Sequence, residues 1–260
     1  MAEPGGSGMV PVRPTASAER WLAHRPLTPD TAGRCSVRRD PSCASKPNRV
    51  ARPTLAGVVQ GHPASIHERV ASSVIDLATL DEYLESLDAD ERAGQVRSLG
   101  KAEQARLFDA AAGVRAIGLD HLVPASAAPL AEVIHAGRNS LPAFRIFEKR
   151  FCWPSGGDGT PDELWGYNEH GAMWMTGPGY FVAVPGEPGE VLLDYTRVPP
   201  GKPESWPPIA SNDAARGRFV YGRGMQDVLR GVSAHVAIGR AFRHGKPLSN
   251  WFVLCRIDPA

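Results

Sequence analysis

Hydrophobic positions recur with a helical period between residues 72 and 113. The clearest apolar stripe, at intervals of three and four residues, consists of Leu80, Tyr83, Leu84 and Leu87. Thr79 and Asp88 are each followed three residues later by a glutamate, the pattern of a capping box, and a further start is indicated at Lys101. These signals predict three short helices, which are too poor in large apolar groups to be stable without a covering surface.

The pattern changes after Ser140, where sixteen of the nineteen aromatic residues lie. Leu141, Phe144, Phe147 and Phe151 stand near helical spacing and predict a helix over 141–151, with Lys149 on its outer face. Beyond it, short apolar runs separated by Gly and Pro predict strands at 163–168, 179–184, 190–198, 217–222, 234–243 and 249–257. Residues 224–232 fit either a strand or a helical turn. Large rings dominate buried area, so the core is expected here.

The predicted fold class is α+β with three parts. Residues 1–70 are rich in Pro, Arg and Ser without periodicity and are expected to be a disordered basic tail. Residues 71–120 are expected to form a short helical segment. Residues 121–260 are expected to form a small antiparallel curved sheet or β-barrel, because short strands follow one another with Gly/Pro turns.

In outline, a helix leads into a run of antiparallel strands that ends in an apolar hairpin. This order resembles small lipocalin-like barrels of uncharacterised bacterial proteins. The resemblance covers residues 140–258 and depends on strand order, not on a motif such as Gly-x-Trp. It therefore implies a barrel but transfers no site residue.

The formal charge of +1 hides a segregation along the chain. Residues 1–70 carry a net charge of +5, and residues 71–140 carry a net charge of −5. Nucleic-acid binding is not expected, because the β region is nearly neutral although it contains Arg216, Arg218, Arg223 and Arg230.

No motif for a cofactor is recognisable, and no cofactor is predicted. The four cysteines, Cys35, Cys43, Cys152 and Cys255, lack zinc-binding spacing. The longest apolar stretches are too short to span a bilayer, and the N-terminus has no apolar segment typical of a signal peptide. A cytoplasmic protein without membrane association is therefore predicted.

Strand alternation places three charges on apolar faces. Asp194 shares a face with Leu192, and Arg240 and Arg256 share faces with branched or aromatic residues. If those faces point inward, an unpaired charge is costly, and Asp194 is expected to pair with one arginine. Such a pair would fix strand register, or it would leave an arginine free to bind a ligand carboxylate or phosphate.

Acid–base chemistry has three candidates, Asp194, His235 and His170. The string from Gly231 to His235 is not the Gly-x-Ser-x-Gly elbow of hydrolases. On the strand face opposite Arg240, His235 is followed by the small residues Ala237, Gly239 and Ala241, which leave room for a ligand or let a helix approach closely.

The polar and aromatic segment from Trp165 to Trp174 is the densest of its kind. Trp165, Asn168 and His170 are predicted to meet a ligand at a barrel mouth, where apolar walls and a few polar groups bind small molecules. The alternative is a turn rich in packing aromatics. No metal site is predicted.

Three functions are compatible with this sequence. The first is the binding of a small, partly apolar ligand in the barrel, through Trp165, Asn168, His170, Asp194, Arg240 and Arg256. The second is an enzyme that uses acid–base residues in the same cavity. The third is an interaction module whose helices, within residues 72–113, dock to a protein partner.

Overall fold

The computed structural model describes residues 65–156, 162–214 and 218–257. Six helices are described: α1 (Ile66–Ala71), α2 (Leu77–Glu85), α3 (Ala89–Ser98), α4 (Lys101–Ala110), α5 (Leu119–Leu122) and α6 (Met173–Thr176). Eight strands are described: β1 (Val133–Asn139), β2 (Ile146–Cys152), β3 (Leu164–Glu169), β4 (Phe181–Pro185), β5 (Val191–Asp194), β6 (Met225–Gly231), β7 (Val236–Arg243) and β8 (Lys246–Ile257).

The eight strands form a closed antiparallel barrel in which each strand pairs with its neighbours in the chain. Closure joins the first strand to the last, with His135 opposite Arg256 and Gly137 opposite Leu254. The α+β fold class with an antiparallel barrel is confirmed. A closed barrel leaves no unpaired edge strand for another chain to extend.

Side-chain capping fixes the starts of the early helices. Asp88 accepts a hydrogen bond from the Glu91 amide at 2.8 Å, which confirms the predicted capping box of α3. Helix α2 begins earlier than predicted, because Asp76 caps it by accepting from the amides of Ala78 and Thr79. Helix α1 falls in the range assigned to the tail, where Ser65 and Glu68 form a capping box. The rest of the tail lies outside the described residues.

Alternating residues of every strand point into the barrel. The interior carries a continuous apolar cluster that includes Phe147, Phe151, Leu164, Phe181, Leu193, Leu229, Phe252 and Leu254. Outside, a second cluster lies on β3 and β4 under a loop and includes Trp165, Tyr167, Tyr180 and Trp206.

One end of the barrel is closed by α5 and its flanking residues. Leu119 and Leu122 are buried in the interior cluster. His135, on β1, contacts the same segment, because its Nε2 lies 2.8 Å from the carbonyl oxygen of Leu122. This end is filled, and the barrel opens at the opposite end, where the strands end or begin at Asn139, Met225 and Arg243.

The helices cover part of the outer barrel wall. The Arg138 guanidinium donates to the carbonyl oxygen of Arg97 at 2.6 Å, which ties β1 to α3. Leu80, Leu84 and Val96, from the predicted helical stripes, are fully buried. The covering surface that these short helices require is therefore in the same chain.

Two local predictions are wrong. The helix predicted over 141–151 is absent, and residues 146–152 form β2 instead. The interior favours the two-residue alternation of Phe147, Lys149 and Phe151 over the helical spacing of the phenylalanines. Residues 218–221 are a turn and not a strand, and residues 225–231 form β6.

No helix among the described residues has the length and apolarity needed to cross a membrane. Cys152 and Cys255 are buried and are not joined in a disulfide.

Candidate functional site

The open end of the barrel leads into a cavity of about 320 Å³. Its walls are formed largely by apolar and aromatic side chains from both ends of the chain's β region, including Phe147, Tyr221, Met225, Ala241, Leu248 and Phe252. Its polar lining includes Lys149, Asn168, Tyr195 and Asp227, which we call the Lys149 cluster. The cavity therefore has apolar walls and a concentrated polar site.

Lys149 occupies the centre of this cluster. Its Nζ donates to Asn168 Oδ1 at 2.7 Å and to the Tyr195 hydroxyl at 2.5 Å, and it lies 3.3 Å from Asp227 Oδ2. An ammonium group has three protons, so each has an acceptor. The Tyr195 hydroxyl bridges Lys149 and Asp227, because it also donates to Asp227 Oδ2 at 3.0 Å.

Four strands hold the cluster in place. Lys149 comes from β2, Asn168 from β3 and Asp227 from β6, while Tyr195 directly follows β5. The Asn168 amide group is oriented by its donation to the carbonyl oxygen of Gly179 at 2.8 Å, which turns its oxygen toward Lys149. The side chains are thus fixed before any ligand enters.

Aromatic rings surround the lysine head. The Nζ atom lies 4.9 Å from the ring centroids of Phe181 and Phe252, 5.1 Å from that of Tyr195 and 5.7 Å from that of Phe147. Ring faces attract a cation, which offsets part of the lost hydration of a buried ammonium.

Burial controls the ionisation of the cluster. The side chain of Lys149 is 2% exposed and that of Asp227 is 7% exposed. Burial lowers the pKa of Lys149, and Asp227 opposes that shift. Burial likewise raises the pKa of Asp227, against the effect of Lys149. The ion pair and the neutral amine–acid pair are consequently closer in free energy than the same groups in water.

The cavity mouth carries a second, looser polar group. His170 Nε2 lies 3.0 Å from the Tyr221 hydroxyl and 3.2 Å from Thr176 Oγ1. Burial, with a smaller contribution from Lys149, lowers the pKa of His170. Phe144 packs near this ring, with centroids 5.9 Å apart, and is 46% exposed. The mouth is therefore rimmed by apolar surface open to solvent.

Two of the predicted ligand-binding residues line the cavity. Asn168 belongs to the Lys149 cluster, and His170 lies at the mouth. Trp165 lies outside instead, buried in the cluster under the loop, where its indole nitrogen donates to Glu163 at 3.0 Å. It has the packing role given by the alternative prediction, but it lies on strand β3 and not in a turn.

The inward orientation predicted for Asp194 and Arg240 is wrong. Their strand neighbours Leu193 and Ala241 belong to the interior cluster, so alternation turns both charged groups outward. Asp194 is buried outside the barrel, where it accepts from the amide and hydroxyl of Thr196 at 2.9 and 2.6 Å. Arg240 donates to the Leu248 carbonyl oxygen at 2.9 Å.

Arg256 and His235 also lie away from the cavity. Arg256 donates to the carbonyl oxygen of His121 at 2.7 Å, beside the closed end of the barrel. His235 Nδ1 lies 2.7 Å from Glu85 Oε2 of α2. Of the three acid–base candidates, His170 lines the cavity, whereas Asp194 and His235 do not.

Lys149, Tyr195 and Asp227 were not among the predicted site residues. The signal for Lys149 was present in Phe147-Glu-Lys-Arg-Phe151, where a lysine alternates with two phenylalanines. Read with a period of two, this run places a cation on an inward face. Helical spacing of the same phenylalanines concealed it.

Within the residues that the structure describes, no group of three or more His, Cys, Asp or Glu side chains is placed to hold a metal ion. Comparisons with protein-family models, with curated proteins and with solved structures found no match to this chain.

Proposed function

We propose that the barrel binds a small molecule with an apolar body and a hydrogen-bonding head, and that the head contacts the Lys149 cluster. The observation that carries this proposal is a preformed cavity of about 320 Å³ with apolar walls and a few convergent polar groups. Cavities of this size and lining are typical of small-molecule sites.

The polar groups restrict the chemistry of the head. Lys149 and Asp227 have opposite formal charges and lie in contact, so the cluster has no net charge. A charged ligand would enter an apolar cavity without a counter-ion of its own, which is costly. A neutral head with a carbonyl or hydroxyl group would bind at lower cost by exchanging hydrogen bonds with Lys149, Asn168 or Tyr195.

The two alternative functions draw less support from the geometry. Of the three predicted acid–base residues, His170 lines the cavity, whereas Asp194 and His235 lie outside it. Docking of a partner through residues 72–113 stays a prediction. The apolar stripe that prompted it, including Leu80 and Leu84, is fully buried within the fold.

Binding is tested with prodan, a neutral naphthalene dye whose ketone accepts hydrogen bonds and whose emission shifts to shorter wavelength in apolar surroundings. We expect the full chain to shift and enhance the emission with a saturable, one-site titration. Absence of saturable binding by prodan and by a panel of neutral apolar ketones and alcohols would overturn the proposal.

A pair of variants tests whether the dye occupies the cavity. Ala241 lines the cavity, so Ala241→Trp fills it and is expected to weaken binding at least tenfold. Ala102 lies exposed on α4, so Ala102→Trp adds the same indole at a distant surface and is expected to leave binding unchanged. Equal affinities for the two variants would place the dye elsewhere and contradict the proposal. Thermal unfolding of both variants confirms that each is folded.

A further inference from the structure

The position of Lys149 bears on the kind of head that the cavity takes. Lysines are almost always exposed, because burial of an ammonium is costly unless it is paired. Lys149 is instead among the most deeply buried side chains, yet its cluster lines an open cavity. An apolar side chain of similar volume would fill this position without needing hydrogen-bond partners. Packing and strand register therefore do not explain why an amine is buried here.

We infer that Lys149 is a nucleophile that forms a Schiff base with an aldehyde or ketone ligand in the cavity, with Asp227 as the proton donor and acceptor. This inference rests on the proposed function, because the carbonyl compound must first bind. It narrows the ligand class from neutral polar heads to carbonyl compounds.

The neighbouring carboxyl group makes the free amine accessible. A proton moves from Lys149 Nζ to Asp227, across 3.3 Å or through the Tyr195 hydroxyl that bridges them. The ion pair becomes an amine and a carboxylic acid without a change in net charge. In a buried site this exchange is favoured relative to water, because the neutral forms require less solvation.

The covalent step then balances within the cluster. The amine nitrogen of Lys149 attacks the carbonyl carbon as the carbon–oxygen π bond breaks. Asp227 gives its proton to the carbonyl oxygen and takes one from the attacking nitrogen, which yields a neutral carbinolamine and restores the carboxylic acid. The carboxylic acid of Asp227 protonates the departing hydroxyl, which leaves as water while the carbon–nitrogen double bond forms. Carbonyl, amine and acid thus become water and a protonated imine paired with the Asp227 carboxylate, and no oxidant or reductant is consumed.

The other members of the cluster have positioning roles. Asn168 Oδ1 accepts from Lys149 Nζ at 2.7 Å and fixes the direction of the nitrogen. Tyr195 accepts from Lys149 Nζ and donates to Asp227 Oδ2, so its hydroxyl holds the amine and the carboxyl group at a fixed separation. The rings of Phe181 and Phe252 provide faces that stabilise the protonated imine as they do the ammonium.

The test is reductive trapping with naphthaldehyde, an apolar aromatic aldehyde, and cyanoborohydride at neutral pH, followed by peptide mapping of the full chain. Lys101 and Lys246 are exposed and act as internal references. We expect naphthylmethyl labelling of Lys149 to be roughly tenfold or more faster than labelling of either reference, because the cavity holds the bound aldehyde beside the Lys149 amine whereas the references meet it only from solution. Burial also lowers the pKa of Lys149, which increases its share of free amine. Ala241→Trp is expected to abolish labelling of Lys149 and to leave that of the references unchanged.

The outcomes separate this inference from the proposed function. Labelling of Lys101 and Lys246 without Lys149, while prodan binds in the cavity, would overturn the inference and leave small-molecule binding standing. If prodan does not bind and naphthaldehyde does not label Lys149, both the proposed function and the Schiff-base inference are overturned. Labelling of Lys149 that persists in folded Ala241→Trp would also overturn it, since the cavity would not then control the reaction. The mapping uses the unaltered chain, so it does not depend on whether a Lys149 variant folds.

Discussion

Lys149 Nζ and Asp227 Oδ2 lie 3.3 Å apart inside the barrel, on strands that are not neighbours. Both side chains are buried, and each is the other's counter-ion. Loss of either partner leaves a buried charge without compensation, whereas the intact pair is neutral as a unit. The pair therefore links the stability of the barrel to the proposed binding site.

Lys149→Met is expected to make stability depend on pH. Burial raises the pKa of Asp227, and removal of Lys149 removes the group that opposes this shift. The folded variant then keeps a proton that the unfolded chain releases above the ordinary value of 3.8. The free energy of unfolding should therefore fall as the pH rises from 5 to 8, by at most about 1.4 kcal/mol per pH unit.

Urea unfolding at several pH values measures this effect. At pH 8 we expect a loss of about 3 to 5 kcal/mol relative to the unaltered chain, the usual cost of breaking a buried pair. Lys246→Met removes an exposed lysine by the same substitution and should change stability little at any pH. A Lys149→Met variant as stable at pH 8 as at pH 5 would show that Asp227 is solvated and that the pair is not buried in solution.

The barrel was predictable from the sequence, but which face of each strand points inward was harder to predict. The hairpin of β7 and β8 was visible because two apolar runs flank His244-Gly245. Asp194 and Arg240 misled the face assignment, because apolar residues also occupy the outer face. That face is covered by helices and a loop, so alternation does not separate inside from outside there.

The site itself depended on long-range pairing that no local pattern contains. Asp227 comes 78 residues after Lys149 and meets it across the barrel interior. Tyr195 follows a strand of four residues, and no local pattern indicates that its hydroxyl meets an ammonium group. Asn168 and His170 were predicted from a dense polar and aromatic segment, and both line the cavity, Asn168 from β3 and His170 directly after it.

His121 should make the protein sensitive to acid. Burial, and then the nearby Arg256, lowers the pKa of His121 to about 4 from its ordinary value of 6.5. Between these values the unfolded chain binds a proton that the folded protein does not, so stability is lost as the pH falls. Between pH 7 and pH 4 this effect should lower the free energy of unfolding by about 2 to 3 kcal/mol.

Unfolding in urea at pH 7 and pH 4.5 tests this with His121→Gln, which cannot be protonated. The difference in unfolding free energy between the two pH values should shrink by about 2 kcal/mol in the variant. His244→Asn alters an exposed histidine in the β7–β8 turn with a residue that tolerates its positive φ, and it should leave the difference unchanged. An unchanged difference in His121→Gln would mean that His121 is solvated when folded.

Gly239→Ala should destabilise the barrel by overpacking the cavity wall. Gly239 faces inward on β7, where an added Cβ would overlap the ring of Phe252, a residue that lines the cavity. The ring must shift, which costs about 1 to 3 kcal/mol for an overpacked core. Gly94→Ala, on α3 where nothing lies within 4 Å of the new Cβ, should instead stabilise the protein by up to about 1 kcal/mol. Thermal unfolding and prodan titration are carried out on both variants. Unchanged stability and unchanged prodan affinity in Gly239→Ala would contradict the contact between Gly239 and the Phe252 ring.

Arg230 ties helix α4 to the barrel wall, and its removal should free that helix. Its Nε donates to Glu190 at 2.7 Å, its Nη1 donates to the carbonyl oxygen of Phe108 at 2.8 Å, and its guanidinium lies 4.0 Å from the centroid of the Phe108 ring. Arg230→Met leaves the Glu190 carboxylate buried without its partner, which costs about 3 to 5 kcal/mol.

A double variant distinguishes the ion pair from the packing. Replacement of both Arg230 and Glu190 by Met removes both charges, so it should be less destabilising than Arg230→Met alone. Arg218→Met changes an exposed arginine and should be neutral. Hydrogen exchange should show faster opening of α4 amides in Arg230→Met, because the Phe108 carbonyl has lost its contact with the barrel. If the double variant were instead as destabilised as the two single variants combined, the charges would not be coupled. Arg230 would then hold the helix through its contact with the Phe108 ring and carbonyl alone.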